Sequence, residues 1–450
     1  LTFVDIMINK KNLIKGLFFV FISISISFAS YARIESMGKN AAYIMDDISI
    51  FDNPANINIF PNFLIGEFGS YLHNDLTPGV NLDPQQPWFG GIFSIALGKE
   101  KVRDPRFTIG GALNRIDENL YWFLPDSVYQ EDRSVASGYK SIVVPKPVTN
   151  FDGFLGFTLP NGNSIGTHIY IAHQQGASKE GENYNIDADA FSSIVKLDAG
   201  INWRFSPDID GEISAGLARL QFGPESRSFI DSELMSGMIN ARLFSTWSLI
   251  NGEIVPILNY SFIQAPGIDE RNLITGMGVN VALDRGFFWL GADYVYTVER
   301  SHDWSYNNKT GVRIFTNSDV KGNWDVKEQW GGRVSFGIER NIWWDWFVIR
   351  VGGMKVLTYV DCQHNDKNQV IKNKGMPAAG YSTLCPQDGN YFYSNPNGDG
   401  TWGDHVGFGI GINVEEKLKI DATIAEDVIF RNPFQGTGRL LSRVSATYSF

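Results

Sequence analysis

Residues 195–205 read VKLDAGINWRF, and this stretch decides how the chain folds. Apolar residues alternate along it with polar or small ones, which is the period of a β-strand and not that of a helix. One face carries Val195, Leu197, Ala199, Ile201, Trp203 and Phe205, and the other carries Lys196, Asp198, Gly200, Asn202 and Arg204. An apolar face for lipid and a polar face for a lumen are typical of transmembrane barrel strands.

The same alternation returns along the rest of the chain, for example in residues 404–414, where three glycines alternate with Val, Phe and Ile. About sixteen strands can be placed in this way, at 63–72, 88–97, 107–115, 153–159, 164–173, 193–205, 209–220, 236–249, 252–263, 274–284, 287–298, 329–340, 345–358, 404–414, 417–425 and 441–450. The predicted fold class is therefore all-β, a transmembrane antiparallel up-and-down β-barrel of about 14–16 strands.

Short connections alternate with long ones along the chain. Tight turns rich in turn-forming residues fall at 160–163, 206–208, 251–252, 284–286 and 415–416. Long polar stretches lie between them, near 116–152, 174–192, 221–235, 299–328, 359–403 and 426–439. Outer-membrane barrels have short periplasmic turns and long outer loops. A soluble β-sandwich or propeller would also give alternating strands, but it would not explain this loop pattern together with 46 glycines.

The N-terminus predicts export. Lysines at positions 10, 11 and 15 precede an apolar run, 16–28, and the small residues Ser30 and Ala32 fit cleavage after Ala32. Residues 1–32 are therefore expected to be a signal peptide, with the first few residues coming from an upstream start site. A retained anchor is the alternative, but the run is short for a membrane span. No later apolar run reaches the roughly 18 residues that a helical span needs.

The stretch 443–450 reads RVSATYSF and alternates up to the aromatic Phe450. It resembles the C-terminal signal of bacterial outer-membrane barrels, which the barrel-assembly machinery reads during biogenesis. We therefore expect the bacterial outer membrane as the location, with outer-membrane lipid and that machinery as partners. The net charge of −11 and the dispersed basic residues argue against nucleic acid as a partner.

The polar faces of the strands carry charges of both signs. The predicted lumen-lining residues are Lys196, Asp198, Arg204, Arg242, Asp293, Arg333, Glu339 and Arg350. They fit either a lumen filled by ion pairs or a polar conduit. A constriction of one sign would have indicated ion selection, and the mixed charges do not suggest one.

Few residues suggest chemistry. Cys362 and Cys385 are the only cysteines, share one predicted outer loop and belong to an oxidising compartment, so we predict a disulfide. Asn395, Asn397 and Asp399 resemble part of a calcium loop, but a plain Asn/Gly turn explains them better because the twelfth-position Glu is missing. The sequence contains no His-Glu-x-x-His or Gly-x-Ser-x-Gly motif. We expect no cofactor and no enzymatic activity.

Residues 33–62 precede the predicted barrel, 63–450, and are too polar and irregular to lie against lipid. They include Asn53-Pro54-Ala55, where Pro54 fixes a turn and Asn53 can bond its own backbone. We predict that this segment is a luminal plug that turns into the first wall strand. A periplasmic lead-in without a plug is the alternative.

The Asp46-Asp47 step and the Asn-Pro-Ala motif resemble the start of mature FadL-like proteins, although Asn56 stands where that superfamily usually has Gly. The superfamily contains hydrophobic-compound transporters and the PorV-like barrels of type IX secretion. The resemblance implies a transport channel for small, hydrophobic molecules, with a small hydrophobic ligand as partner. It equally admits a non-transporting barrel that docks secreted or surface proteins. A third class, an outer-membrane enzyme, would assemble its site across strands.

Overall fold

The computed structural model of the chain describes residues 30–60, 62–68, 87–97, 105–117, 149–175, 191–223, 234–265, 268–301, 304–307, 312–315, 325–365, 393–394, 404–415, 417–424 and 441–450. The helix α1 spans Tyr31–Ser36, and two short 3-10 helices span Asp47–Ile50 and Pro54–Asn58. The strands are β1 (Phe63–Phe68), β2 (Trp88–Ala96), β3 (Arg106–Leu113), β4 (Thr149–Thr158), β5 (Ser164–Gln175), β6 (Phe191–Ser206), β7 (Ile209–Gly223), β8 (Leu234–Trp247), β9 (Gly252–Ala265), β10 (Ile268–Leu283), β11 (Gly286–Ser301), β12 (Trp304–Asn307), β13 (Val312–Phe315), β14 (Asp325–Asn341), β15 (Phe347–Asn365), β16 (Tyr393–Ser394), β17 (His405–Val414), β18 (Leu418–Ile424) and β19 (Leu441–Ser449).

Sixteen of these strands form one closed antiparallel wall in which each strand pairs with the next wall strand along the chain. The ring closes where β1 pairs with β19, with Phe63 opposite Ser449 and Phe68 opposite Val444. The short β16 adds two pairings to β15, and β12 and β13 form a separate hairpin. The predicted all-β barrel is confirmed, and its strand count lies at the upper end of the predicted range.

The wall is apolar outside and polar inside. Along β6 the exposed fraction is 59% for Leu197 and 3% for Asp198, and along β7 it is 58% for Leu217 and 5% for Glu212. A soluble sandwich or propeller would bury the leucines and expose the carboxylates, because water solvates charge and excludes apolar surface. This reversed burial places the wall in a lipid bilayer.

Some strands begin or end at other residues than the sequence predicts. β10 begins at Ile268 and not at residue 274, since its first residues continue the pairing with β9. Only residues 266–267 therefore separate these two strands. Asn251 takes a positive φ of 48° in the predicted tight turn before β9, a conformation that asparagine tolerates well. Among the helices that the structure describes, none is long and apolar enough to cross a membrane.

The N-terminal segment, residues 30–60, is irregular but well capped. The Ser30 hydroxyl accepts a hydrogen bond from the Arg33 amide and starts α1. Asn53 caps the second 3-10 helix by accepting from the Ala55 amide at 3.1 Å, and Pro54 occupies the first helical position. The Asn-Pro-Ala motif is thus a helix start.

Candidate lumen site

The N-terminal segment crosses the interior of the barrel. A side chain at Gly166 of β5 would overlap the Pro54 backbone, and one at Gly352 of β15 would overlap that of Met37. β5 and β15 lie eight steps apart in the ring of sixteen strands and therefore face each other. The missing side chains of these two glycines let the segment touch opposite sides of the wall.

Five buried charged groups join α1 to one side of the wall. The Arg33 guanidinium lies 2.9 Å from Asp46 of its own segment and 2.5 Å from Glu339 of β14. Arg350 of β15 contacts the same Glu339 at 2.6 Å and Asp421 of β18 at 2.7 Å. Each positive group therefore has two carboxylate neighbours, as buried ions require.

A second ion cluster lies where the ring closes. Arg443 of β19 is 3.2 Å from Glu67 of β1 and 3.3 Å from Glu35 of α1. The Tyr31 amide donates a hydrogen bond to Glu67 at 3.2 Å. The helix α1 thus contacts both strands that meet at the closing seam.

The middle of the segment presents Tyr43 to the wall. Its hydroxyl donates to Asp293 of β11, and Arg333 of β14 holds the same carboxylate at 2.6 Å. The Tyr43 ring occupies the space that side chains at Gly278 and Gly291 would fill. The wall has a glycine-lined recess shaped for this ring.

The Asn-Pro-Ala end is held by polar contacts. Arg242 of β8 pairs with Glu212 of β7 and donates to the Ile44 carbonyl at 3.0 Å. The Asn53 amide group donates to the Asn202 side chain at 2.8 Å. These contacts fix the segment against β6, β7 and β8, opposite the α1 end.

A closed ring of six buried ionisable groups lies on the inner wall near β4 to β6, in the order Arg115, Asp152, His168, Asp198, Lys196 and Asp117. Neighbours in the ring contact each other through their side-chain nitrogen and oxygen atoms at 2.6 to 3.8 Å. Asp152 and Asp198 hold the two nitrogens of the His168 imidazole at 2.8 and 2.6 Å. Nitrogen-bearing and carboxylate side chains alternate around the ring, so each group has a hydrogen-bonding or ion-pair partner on both sides.

Sequence reasoning missed four members of this ring. His168 occupies an inward position of β5, inside a predicted strand, so its alternation was available as a signal. Asp152 is inward on β4, but β4 begins at Thr149 and Asp152 was assigned to the long stretch 116–152. Arg115 and Asp117 follow the end of β3, and Asp117 falls within the predicted long loop. Their partners could not be read from one strand, because partners across a barrel depend on register.

Aromatic side chains pack beside this ring of ionisable groups. The Arg115 guanidinium lies 3.8 Å from the centre of the Phe51 ring. Trp88 and Phe154 meet Phe51 edge-on at 5.9 and 5.5 Å, and His168 stacks on Phe154 at 4.3 Å. Phe51 thus inserts an apolar ring into a wall recess made of aromatic and cationic groups.

Asp47 is an unpaired acid inside the segment. It is 1% exposed, and neither carboxylate oxygen has a hydrogen-bond partner among the described residues. Burial and the neighbouring Asp46 charge raise the pKa of Asp47 well above its usual value. The neutral acid is the form that this surrounding favours.

Seven of the eight predicted lumen residues are buried inside the wall, namely Lys196, Asp198, Arg242, Asp293, Arg333, Glu339 and Arg350. The eighth, Arg204, differs from the expectation: its side chain is 52% exposed and pairs with Asp210 across the β6–β7 turn. It lies two residues before the end of β6, beyond the packed lumen.

Other predicted sites fall partly or wholly outside the described residues. The weak calcium candidate, Asn395, Asn397 and Asp399, lies outside them, as does Cys385. Residues 1–29 of the predicted signal peptide also lie outside, and its last residues, Ser30 to Ala32, are buried at α1. No group of three or more His, Cys, Asp or Glu that could hold a metal occurs in the described parts of the chain.

The chain matches no family model and no curated protein sequence. Its fold is similar to CdiB from Acinetobacter baumannii, with 10% identity, a TM-score of 0.39, and coverage of 86% of this chain and 59% of that one. The TodX monoaromatic hydrocarbon channel (deltaS2 mutant) gives 10% identity, a TM-score of 0.34, and coverage of 95% and 99%. The FrpB iron transporter from Neisseria meningitidis (F3-3 variant) gives 9% identity, a TM-score of 0.28, and coverage of 88% of this chain and 83% of that one. These values are too low to transfer a function.

The architecture itself decides the location. Antiparallel barrels with an even number of strands, an apolar outer band and a polar interior are proteins of the bacterial outer membrane. This chain has all three features in its sixteen-strand wall. It is an outer-membrane β-barrel.

Proposed function

We propose that the protein is a gated outer-membrane channel, similar to FadL-like transporters, that passes small hydrophobic molecules. Residues 33–62 act as its plug, and transport requires the plug to leave its seat. The conduit is the space that the segment now occupies between opposite walls.

The proposal rests on how the buried ion pairs are divided between the wall and the plug. Each wall ion that touches the plug also has an opposite charge on the wall: Glu339 has Arg350, Glu67 has Arg443, Asp293 has Arg333 and Glu212 has Arg242. Within the plug, Arg33 has Asp46. Unseating the plug therefore leaves these buried wall charges paired, which avoids the penalty of several kcal/mol for isolating a buried ion.

The apolar contacts of the plug support a hydrophobic solute. Ile48, Phe51 and Ile57 pack in one cluster with the wall residues Trp88 and Trp289. When the plug withdraws, this wall surface becomes available to a solute of similar polarity. A channel for ions or sugars would gain little from such a lining.

Deleting residues 34–50 tests the proposal. The variant should keep the heat-modifiable migration of a folded barrel and show raised conductance in planar bilayers. An equally long deletion in the predicted outer stretch, of residues 366–382, keeps both cysteines, is the control and should conduct as the wild type does. In cells, uptake of indole should rise more than uptake of sucrose. A folded deletion variant with wild-type conductance would contradict the gating role.

The PorV-like docking barrel remains the second sequence-based hypothesis. No feature of the described residues favours it over a channel. If the folded 34–50 deletion conducts like the wild type, docking becomes the better hypothesis.

A further inference from the structure

The lipid-facing surface of the wall contains a groove on strands β3 to β9. Its volume is about 1260 Å³, above the ~300–1,000 Å³ of a usual small-molecule pocket. Exposed apolar side chains line it, among them Phe151, Leu155, Leu197, Met235 and Ile239. This groove is separate from the plug, which lies on the other side of the wall.

Small outward residues form the floor of the groove. Thr167, Ala199 and Ala215 are direct neighbours in register across β5, β6 and β7. Larger exposed residues stand on both sides of this row, Leu197 and Leu217 on one side and Ile201 and Ile213 on the other. The row lowers the surface between its neighbours, so an extended apolar chain can lie along it.

The arginine that lines the groove, Arg219, lies at one of its ends. Arg219 and Gln221 of β7 and Ser193 of β6 line it towards the end of the wall that carries the long connections. Arg219 is exposed and lies two residues beyond the lipid-facing Leu217. An outward arginine costs ~2–4 kcal/mol at the bilayer midplane and almost nothing at the headgroup level, so this end lies near the headgroups.

We propose that this groove is a binding site for one phosphate-bearing lipid of the surrounding leaflet. Its acyl chains lie over the Thr167–Ala199–Ala215 floor, and its phosphate contacts the Arg219 guanidinium. Charge complementarity selects an anionic lipid over a zwitterionic one, as in other basic lipid-headgroup pockets. The site extends beyond the channel function and does not depend on plug movement.

Native mass spectrometry of the full barrel in detergent with phosphatidylglycerol or phosphatidylcholine tests the site. The wild type should retain phosphatidylglycerol in preference. Ala215→Trp fills the floor and should lower that retention roughly tenfold, the equivalent of one buried contact of about 1.4 kcal/mol. Ala292→Trp is the matched control, since Ala292 is an exposed, outward residue of β11 on another part of the wall. It should retain lipid like the wild type.

Arg219→Gln separates the two halves of the proposal. It should bind both lipids equally, because the floor remains and the charge is gone. Heat-modifiable migration shows that each variant is folded. Equal retention by the Ala215→Trp and Ala292→Trp variants would overturn the proposal. So would a wild type that retains no lipid, or one whose groove is covered by a second copy and appears as a lipid-free dimer.

Discussion

Replacing Arg33 by Met is the sharpest test of how the proposed plug is held in the barrel. Arg33 is 1% exposed, and its guanidinium contacts Asp46 at 2.9 Å and Glu339 at 2.5 Å. Its pKa is held above its usual value by these two carboxylates, although burial alone would lower it. In the variant Glu339 keeps Arg350, but Asp46 remains buried without its cation.

The size of the effect follows from that unpaired carboxylate. Removing one partner of a buried ion pair costs ~3–5 kcal/mol, and each 1.36 kcal/mol changes an equilibrium tenfold. In the unseated state Asp46 reaches water, so the cost applies to the seated plug alone. The ratio of seated to unseated plug should fall by roughly two to four orders of magnitude.

Hydrogen exchange of the plug amides and single-channel open probability measure this ratio. Arg204→Met is the matched control, because the Arg204–Asp210 pair is about half exposed and such pairs contribute ~0–1 kcal/mol. Faster exchange and more frequent opening are expected for Arg33→Met only. If both variants behave like the wild type, the ion pairs do not hold the plug and the reasoning is wrong.

Three further outcomes are expected. Gly352→Ala should unseat the plug and raise conductance, because its new methyl group overlaps Met37, whereas Gly332→Ala, with its nearest atom 3.9 Å away, should do neither. The plug should loosen as pH rises through the raised pKa of Asp47, because the neutral acid stabilises the seated plug at low pH and this stabilisation is lost when Asp47 ionises. In Asp47→Asn, hydrogen exchange of the plug amides should lose this dependence on pH. Unfolded, unreduced protein should show no free thiol, because we predict that Cys362 of β15 and Cys385 are joined by a disulfide of order 3 kcal/mol.

Strand alternation predicted most of the wall, since a period of two fixes which face meets lipid. It placed Asp198, Asp293 and Glu339 on the inner face, where the structure buries them. It misplaced Arg204, because alternation gives a face but not a depth along the barrel axis. At the end of a strand the inner face meets water.

The partners of the lumen residues could not be predicted. His168 meets Asp152 and Asp198 from the two neighbouring strands, and these pairings follow from register between strands. The contact between Tyr43 and Asp293 joins residues 250 positions apart. A single sequence shows the local period of each strand, but these contacts depend on the register between strands and on where the N-terminal segment lies inside the barrel.

The contact of α1 with both sides of the closing seam has a consequence for biogenesis. Glu67 belongs to the first wall strand and Arg443 to the last, and the same helix touches both. Glu35 of α1 and Glu67 of β1 both pair with Arg443, so the strand that closes the ring also brings the cation that binds the helix. Sealing of the wall therefore completes the seat of α1, and a barrel that still waits for β19 lacks the guanidinium that both carboxylates contact in the finished protein.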